Sequence, residues 1–399
     1  MCLKYFRYII SLKYFRYIII MSKSKKKKKK VSKKTRSRSN KITANNCNGG
    51  EIQSIEDTPH DEHIHRVEGV SNLLSINVPK KENKGEDADP LIHTSEDRKL
   101  VFVGVFDGMG GSGATEYTTK NGVHTGAYLA SRKVSDTCKG FIMTADSDIL
   151  DIDALSVCIK DDLKQCMEDN NIKPSVLRGA IMRTLPTTLA IIGASTSGSE
   201  THITSYWCGD SRNYILTKDG LLQVSLDDLS KTQDPLENLR NDESLSNCIC
   251  QDRSFEIHQK DCGVFKEPVI ILSATDGCFG YLKSPMHFEY LLLQTMQESQ
   301  NIEEWKCNIE NWLTPISGDD FSIGLAMIGG DFEYWKNIMI DELKNIQKSY
   351  INPIEKSENT IKDLQHKVLM AQQGSYDTIT TLWNHYSNKY MSLIKEQKK

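Results

Sequence analysis

The chain has 399 residues, 38% of them hydrophobic and 26% charged, an ordinary composition for a soluble globular protein with polar tails. Its 11 cysteines are odd in number and scattered, with no CxxC pair, and Cys248 and Cys250 stand too close for easy disulfide or zinc geometry, so they read as reduced thiols of an intracellular protein. The formal net charge of −3 hides a split: residues 1–40 carry 15 Lys or Arg and no acid, which leaves 35 basic against 53 acidic residues, or −18, in the remainder.

The first twenty residues contain LKYFRYII twice, from Leu3 and from Leu12. Lys4, Arg7, Lys13 and Arg16 interrupt the apolar stretches, so neither approaches the ~20 apolar residues of a membrane span. No uninterrupted apolar region leads to a small-residue cleavage site, which argues against a signal peptide. Met21 opens a plausible start of its own. From Lys23 to Arg38 the run is densely basic with serines between; like charges repel and nothing apolar forms a core, which predicts disorder. The partners that suit this leader are nucleic acid, an anionic membrane or the nuclear import machinery, and the expected location is cytoplasmic, nuclear or both. His60, His63 and His65 sit in a polar, acidic stretch that reads as linker rather than metal site. Residues 1–66 are accordingly a basic leader and linker.

Folded sequence is expected over residues 67–330. SNLLSINV (71–78) is strand-like and leads into the loop PKKENKGEDADP. VFVGVF (101–106) is a short unbroken apolar run, read as a strand buried on both faces, and it ends abruptly on Asp107. Gly108, Gly110, Gly111 and Gly113 follow, with a helical pattern expected from near Ala114 and helical spacing in TGAYLASRKV (125–134). A carboxylate at the mouth of a buried strand, backed by glycines that admit backbone or ligand closely, suits a hard metal ion or a phosphate. A second amphipathic helix is expected over about 154–167. ADSDILDID (145–153) lacks the Gly and Glu of a calcium loop and reads as helix-entry caps.

Short strands come next. TTLAIIGAS (187–195), ITSYWCGDSRNYIL (203–216) and GLLQVSL (220–226) read as a meander with tight turns. PVIILSATDG (268–277) repeats the theme of a buried strand, an Asp and a Gly, and FSIGLAMIGG (321–330) is a further strand entered through Asp319 and Asp320. Residues 331–399 form a helical extension, expected as about three segments broken at Asn352-Pro353 and at Gly374. Trp335, Ile338, Ile340 and Leu343 recur at three-to-four spacing and need a partner surface, either the body or a binding partner.

Four acids thus occupy similar places: Asp107 and Asp276 after buried strands, Asp210 within CGDSR and Asp319 before a third strand, with Glu86 and Asp87 in the upstream loop. A site of carboxylates and a backbone carbonyl, without Cys or His, selects Mg²⁺ or Mn²⁺ over zinc. Two such cations about 3.5–4 Å apart share a water, lower its pKa and stabilise a phosphoryl transition state.

The order and spacing of these residues resemble the metal-dependent protein Ser/Thr phosphatases of type 2C (the PPM family), in a bacterial-like branch. GED (85–87) looks like the family's N-E-D, DGMGG (107–111) like D-G-x-G-G and ATDG (274–277) like S-D-G. DDFS (319–322) looks like D-N-x-T, and GDSR (209–212) matches outright. The resemblance covers roughly residues 69–330. It implies an α+β fold, an α-β-β-α sandwich of two antiparallel sheets flanked by helices, here with a C-terminal helical extension.

Carried over by position, the resemblance implies that Asp107 bridges two metals and Gly108 offers its carbonyl. Glu86 completes the second metal's protein ligands, with Asp87 holding its water. Asp276 and Asp319 hold the first metal, and Asp210 with Asp276 makes a weaker third site. Asp107, Asp276, Asp319 and Asp87 are the catalytic set, and Thr188 matches a family position near the metals. The implied activity is hydrolysis of phosphoserine and phosphothreonine in phosphoprotein substrates by a hydroxide that bridges two Mg²⁺ or Mn²⁺ ions.

Two departures qualify the match. The family's phosphate-gripping Arg, four residues before the Glu, is Glu82 here, with Lys81 and Lys84 as flanking substitutes that lack a guanidinium fork. Met109 stands where some relatives carry His, and bacterial-type members often have Met there. The alternative reading is a catalytically weak or inactive phosphatase-like domain that binds phosphoproteins or scaffolds a complex.

Overall fold

Alternate residues of the buried strands face opposite ways, and that period of two sorts them into layers. In β3 (Leu100–Val105), Leu100 and Phe102 pack beneath helices while Val101 and Val103 pack against the opposing sheet. In β11 (Val269–Ala274), Ile270 and Leu272 face another pair of helices while Val269 and Ile271 meet the sheet that holds β3. Both strands are buried along their whole length, which is why each reads as a continuous apolar run rather than an alternating one. Burying each such Val, Leu or Ile contributes about 1.5–3 kcal/mol.

The computed structural model describes residues 69–82, 84–173, 182–231, 234–240 and 244–393. The leader, Met21 and the histidines from His60 to His65 lie outside the described residues. One five-stranded sheet runs β1 (Val70–Val78), β12 (Phe321–Ile328), β11, β8 (Arg212–Thr217), β9 (Gly220–Gln223). The other runs β10 (His258–Phe265), β7 (Glu200–Cys208), β6 (Leu189–Ser197), β3, β2 (Leu91–Ser95). Every pairing is antiparallel.

Helices α1 (Gly126–Thr144) and α2 (Ile152–Asp169) cover the second sheet, burying Ala130, Val134 and Cys138 from one and Leu155, Ile159 and Leu163 from the other. Beyond α3 (Pro235–Arg240) and the single turn α4 (Asp276–Phe279), α5 (Pro285–Glu298) and α6 (Ile302–Leu313) cover the first sheet. Helix, sheet, sheet, helix is the α+β sandwich expected. Asp151 caps α2 by accepting from the backbone N of Ala154 at 3.0 Å, as the helix-entry reading required.

Three expectations are corrected. No helix starts near Ala114: a small hairpin, β4 (Glu116–Thr119) and β5 (Gly122–Thr125), intervenes, and Thr125 then caps α1. Its Tyr, Thr and Val residues suit a pleated strand better than a helix. The supposed meander is split: β6 pairs with β7 and β8 with β9, but the turn at Gly209–Ser211 carries the chain from one sheet to the other. Buried Asn213 ties the two sheets there, donating to Ile191 O and Tyr206 O while accepting from Ser273 Oγ at 2.6 Å.

Third, Gly374 breaks nothing. After α7 (Phe332–Ile338), α8 (Ile340–Ile346) and a wider turn over Gln347–Ile351, helix α9 runs unbroken from Asn352 to Tyr390, with Pro353 in its first turn. An exposed helical Gly costs only about 1 kcal/mol, and Pro in a first turn lacks no needed donor. Trp335 and Phe332 of α7 are buried in the first sheet's core, and Ile338 and Leu343 pack against it.

Candidate metal centre

Asp107 leaves β3 at the end of the sandwich, and threonines fix its backbone. Its N–H donates to Thr188 Oγ1 at 3.2 Å, and its carbonyl accepts from Thr188 N at 2.9 Å and Thr187 Oγ1 at 2.6 Å. Thr188 Oγ1 lies 2.6 Å from Ser211 Oγ in the crossover turn, so the strand end and that turn are fastened together. Gly209 opens the turn at φ +107, a conformation open to glycine at little cost.

Asp107, Asp210, Asp276 and Asp319 line one cavity of about 750 Å³, with Gly108, Met109 and Thr188 also in its wall. Burial, followed by the charges of Asp87, Asp276 and Asp210, holds the Asp107 carboxyl well above the usual carboxylate range. Burial and the Asp276 charge do the same for Asp210. For Asp276, burial raises the pKa, opposed by a hydrogen bond that Asp107 donates to it. Carboxylates crowded in this way repel until protons or cations neutralise them.

Glu86 stands beside this group. Its Oε1 accepts from Thr125 Oγ1 at 2.5 Å, its carbonyl accepts from Ser131 Oγ at 2.5 Å, and Arg132 donates to the carbonyls of Glu86 and Gly85, each at 3.3 Å. The chain passes so near that a Cβ on Gly110 would sit 1.8 Å from Glu86 Oε2. That close approach accounts for a glycine in the DGMGG turn. Burial raises the Glu86 pKa, partly offset by the Thr125 hydroxyl. Asp87 is 2% exposed and accepts from Thr275 Oγ1 and Ser322 Oγ, each at 3.0 Å, while burial and the Asp320 charge push its pKa up to about 8.

Two features were not read from the sequence. Asp320, beside the assigned Asp319, is buried and accepts from the backbone N–H groups of Lys80 at 2.6 Å and Glu86 at 2.5 Å, fastening the upstream loop to the start of β12. Asp319 is exposed on the cavity's rim and accepts from Asp320 N at 2.9 Å. The doubled acid DD carried no sign of which member points inward. The Arg of GDSR is structural: Arg212 forms a buried two-point pair with Asp227, at 2.8 and 2.6 Å, and stacks 4.1 Å over the Phe279 ring.

Lys81 and Lys84 are both exposed, joined in a turn in which Lys84 N donates to Lys81 O, and neither lines the cavity. Among the described residues that line it, Arg183 carries the one positive charge. Its guanidinium donates to Cys248 Sγ and to Leu245 O, the latter at 3.1 Å.

The donor set fits a hard divalent cation: carboxylate oxygens and the backbone of Gly108, with no cysteine or histidine among the described residues that line the cavity. Among the described residues, no three acid, Cys or His side chains already converge as a finished cage.

No family model matches the chain, and no curated protein matches it in sequence. Solved structures similar to it include a bacterial serine phosphatase, 16% identical, with a TM-score of 0.46 over 65% of this chain and 99% of that one. Serine/threonine phosphatase Stp1 from Staphylococcus aureus is 17% identical, with a TM-score of 0.46 over 65% of this chain and 96% of that one. The catalytic domain of serine/threonine protein phosphatase PstP, in complex with two manganese ions, is 12% identical, with a TM-score of 0.43 over 65% and 99%.

Proposed function

We propose that this chain is a divalent-metal-dependent phosphatase that hydrolyses phosphoserine and phosphothreonine in proteins. One observation carries the reading: four carboxylates, from Asp107, Asp210, Asp276 and Asp319, line a single cavity at the strand ends, where a phosphate dianion is repelled until cations are present.

Asp107, Asp276 and Asp319 would hold one cation, Asp107, Glu86 and the Gly108 carbonyl a second, and Asp210 with Asp276 a weaker third. Bound Mg²⁺ or Mn²⁺ supplies an activated water and neutralises charge on the phosphoryl group. Asp87, held by hydrogen bonds from Thr275 and Ser322, would hold a water of the second cation. Arg183, whose guanidinium is held by Cys248 and Leu245 in the cavity wall, would supply positive charge to the phosphate, and Lys81 and Lys84, exposed and outside the cavity, would contact longer substrates.

The test is hydrolysis of phosphoserine and phosphothreonine peptides by the full chain with Mn²⁺, with Mg²⁺ and with EDTA. Turnover that needs the metal is expected. Phosphopeptide binding without turnover under any metal would instead favour the scaffolding alternative. Location, and partners of the leader, stay as proposals read from its 15 positive charges.

A further inference from the structure

Helix α9 spans 39 residues, about 58 Å at 1.5 Å per residue, and buries none of them. Eleven of its large apolar side chains are exposed, from Ile361 at 51% to Tyr376 at 67%, with Trp383 lowest at 44%. Their placement is not random. At about 100° per residue, nine of the eleven fall within an arc of roughly 120° that runs straight along the helix from Ile361 to Tyr390; Leu369 and Met370 alone lie off it. Between Ile361 and Tyr390 that arc holds no charged residue. Along its distal half Trp383, Tyr386 and Tyr390 form a row of rings, with Tyr390 5.7 Å from each of the other two.

A single chain leaves this uncharged, largely apolar stripe in water, and Gly374 lowers the helix's own stability. We propose that this stripe pairs with the same stripe on a second copy of the chain, forming a two-helix dimer through α9. The inference is independent of the phosphatase reading.

Area and charge select this occupant. At roughly 100 Å² of accessible surface each, nine side chains offer about 900 Å² per copy and about 1,800 Å² per pair, within the ~1,200–2,000 Å² of stable interfaces. The helix carries Glu355, Glu358, Asp363 and Asp377 against Lys356, Lys362, Lys367 and Lys389, a balance of zero, so two copies approach without net repulsion. A helix lying on an anionic membrane would instead carry an excess of Lys and Arg on its polar face. The same stripe on both partners gives a two-fold, self-closing interface rather than a filament.

Sedimentation equilibrium of the full chain at micromolar concentration tests the pairing. Twice the monomer mass is expected. The double variant Ile379→Glu with Trp383→Glu is expected to raise the dissociation constant at least tenfold, while Asp377→Lys, on the opposite face, leaves it within twofold. None of these three residues is buried, so the melting of the sandwich reports that each variant remains folded. A monomeric mass for the parent chain at all concentrations overturns the proposal, as does a dimer that the double variant leaves intact. So does monomeric protein bound to phosphatidylserine vesicles through a contact that the double variant abolishes.

Discussion

Asp320 accepts a 2.5 Å hydrogen bond from the backbone N–H of Glu86, 234 residues earlier in the chain. Its other oxygen accepts from Lys80 N at 2.6 Å, so one buried carboxylate clamps both ends of the loop that delivers Glu86 and Asp87. Asp320→Ala leaves two backbone donors without partners, at about 1–3 kcal/mol each. The expected result is a lowered melting temperature together with weaker Mn²⁺ activation, and Asp320→Asn, which keeps one acceptor, should fall between. Thermal melts and Mn²⁺ titration of turnover check this; an Ala variant with parental metal dependence would show that the clamp does not position Glu86.

The cavity carboxylates should behave in the opposite way. Asp107→Asn, Asp276→Asn and Asp319→Asn are each expected to lower metal-dependent hydrolysis at least 100-fold. Asp107→Asn and Asp276→Asn should also hold or raise the melting temperature in EDTA, because each replaces a carboxyl whose ionised form burial disfavours. Asp210→Asn should affect metal binding less and still slow turnover. Near-normal rates in all three of the first set would remove the metal assignment.

Arg183 and the lysine pair can be separated by substrate size. Arg183→Ala is expected to raise KM about tenfold for a small phosphate ester, with kcat changed less, since the contact is already made in the ground state. Lys81→Ala with Lys84→Ala should leave the small ester within about twofold yet raise KM for phosphopeptides, because both side chains extend from an exposed turn outside the cavity. Steady-state kinetics on the two substrate types distinguishes the roles.

A pH effect far from the cavity is expected at Glu289. Burial, aided by the Glu342 charge, raises its pKa from 4.5 to about 7, although it accepts from Leu221 N at 3.0 Å. Between those values the folded chain binds the proton more tightly than the unfolded one. The stabilisation is therefore present in full below pH 4.5 and is lost as pH rises through about 7. Glu289→Gln should melt higher than the parent above pH 7, by roughly 2–6 °C for about 1–2 kcal/mol after discounting for partial exposure. Below pH 5 the gap should close.

Asp107 and Asp276 were legible as site candidates because each stands at the end of a fully buried strand, and such strands announce themselves as apolar runs: Val101–Phe106 before Asp107 and Val269–Ala274 before Asp276. Edge strands announce themselves poorly. Three consecutive exposed polar residues in β10, Gln259, Lys260 and Asp261, mask its pairing with β7. Asp320 was hidden for another reason, since its role depends on a backbone 234 residues away that no local pattern encodes. The crossover at Gly209 was equally invisible, because a turn within one sheet and a turn between two sheets call for the same residues.

The pairing of β1 with β12 has a consequence for the chain during synthesis. Among the described residues β1 is an edge strand whose sheet neighbour is β12, and the register runs from Val70 opposite Ile328 to Val78 opposite Phe321. At about 5–20 residues per second, β12 emerges roughly 12–50 s after β1 is complete. Throughout that interval β1 offers unpaired backbone groups beside a half-apolar face, the condition in which strands of different chains join. The nascent protein is therefore most exposed to aggregation before its last strand appears, and a ribosome stalled ahead of Phe321 would release a chain with β1 unprotected and the Asp320 clamp absent.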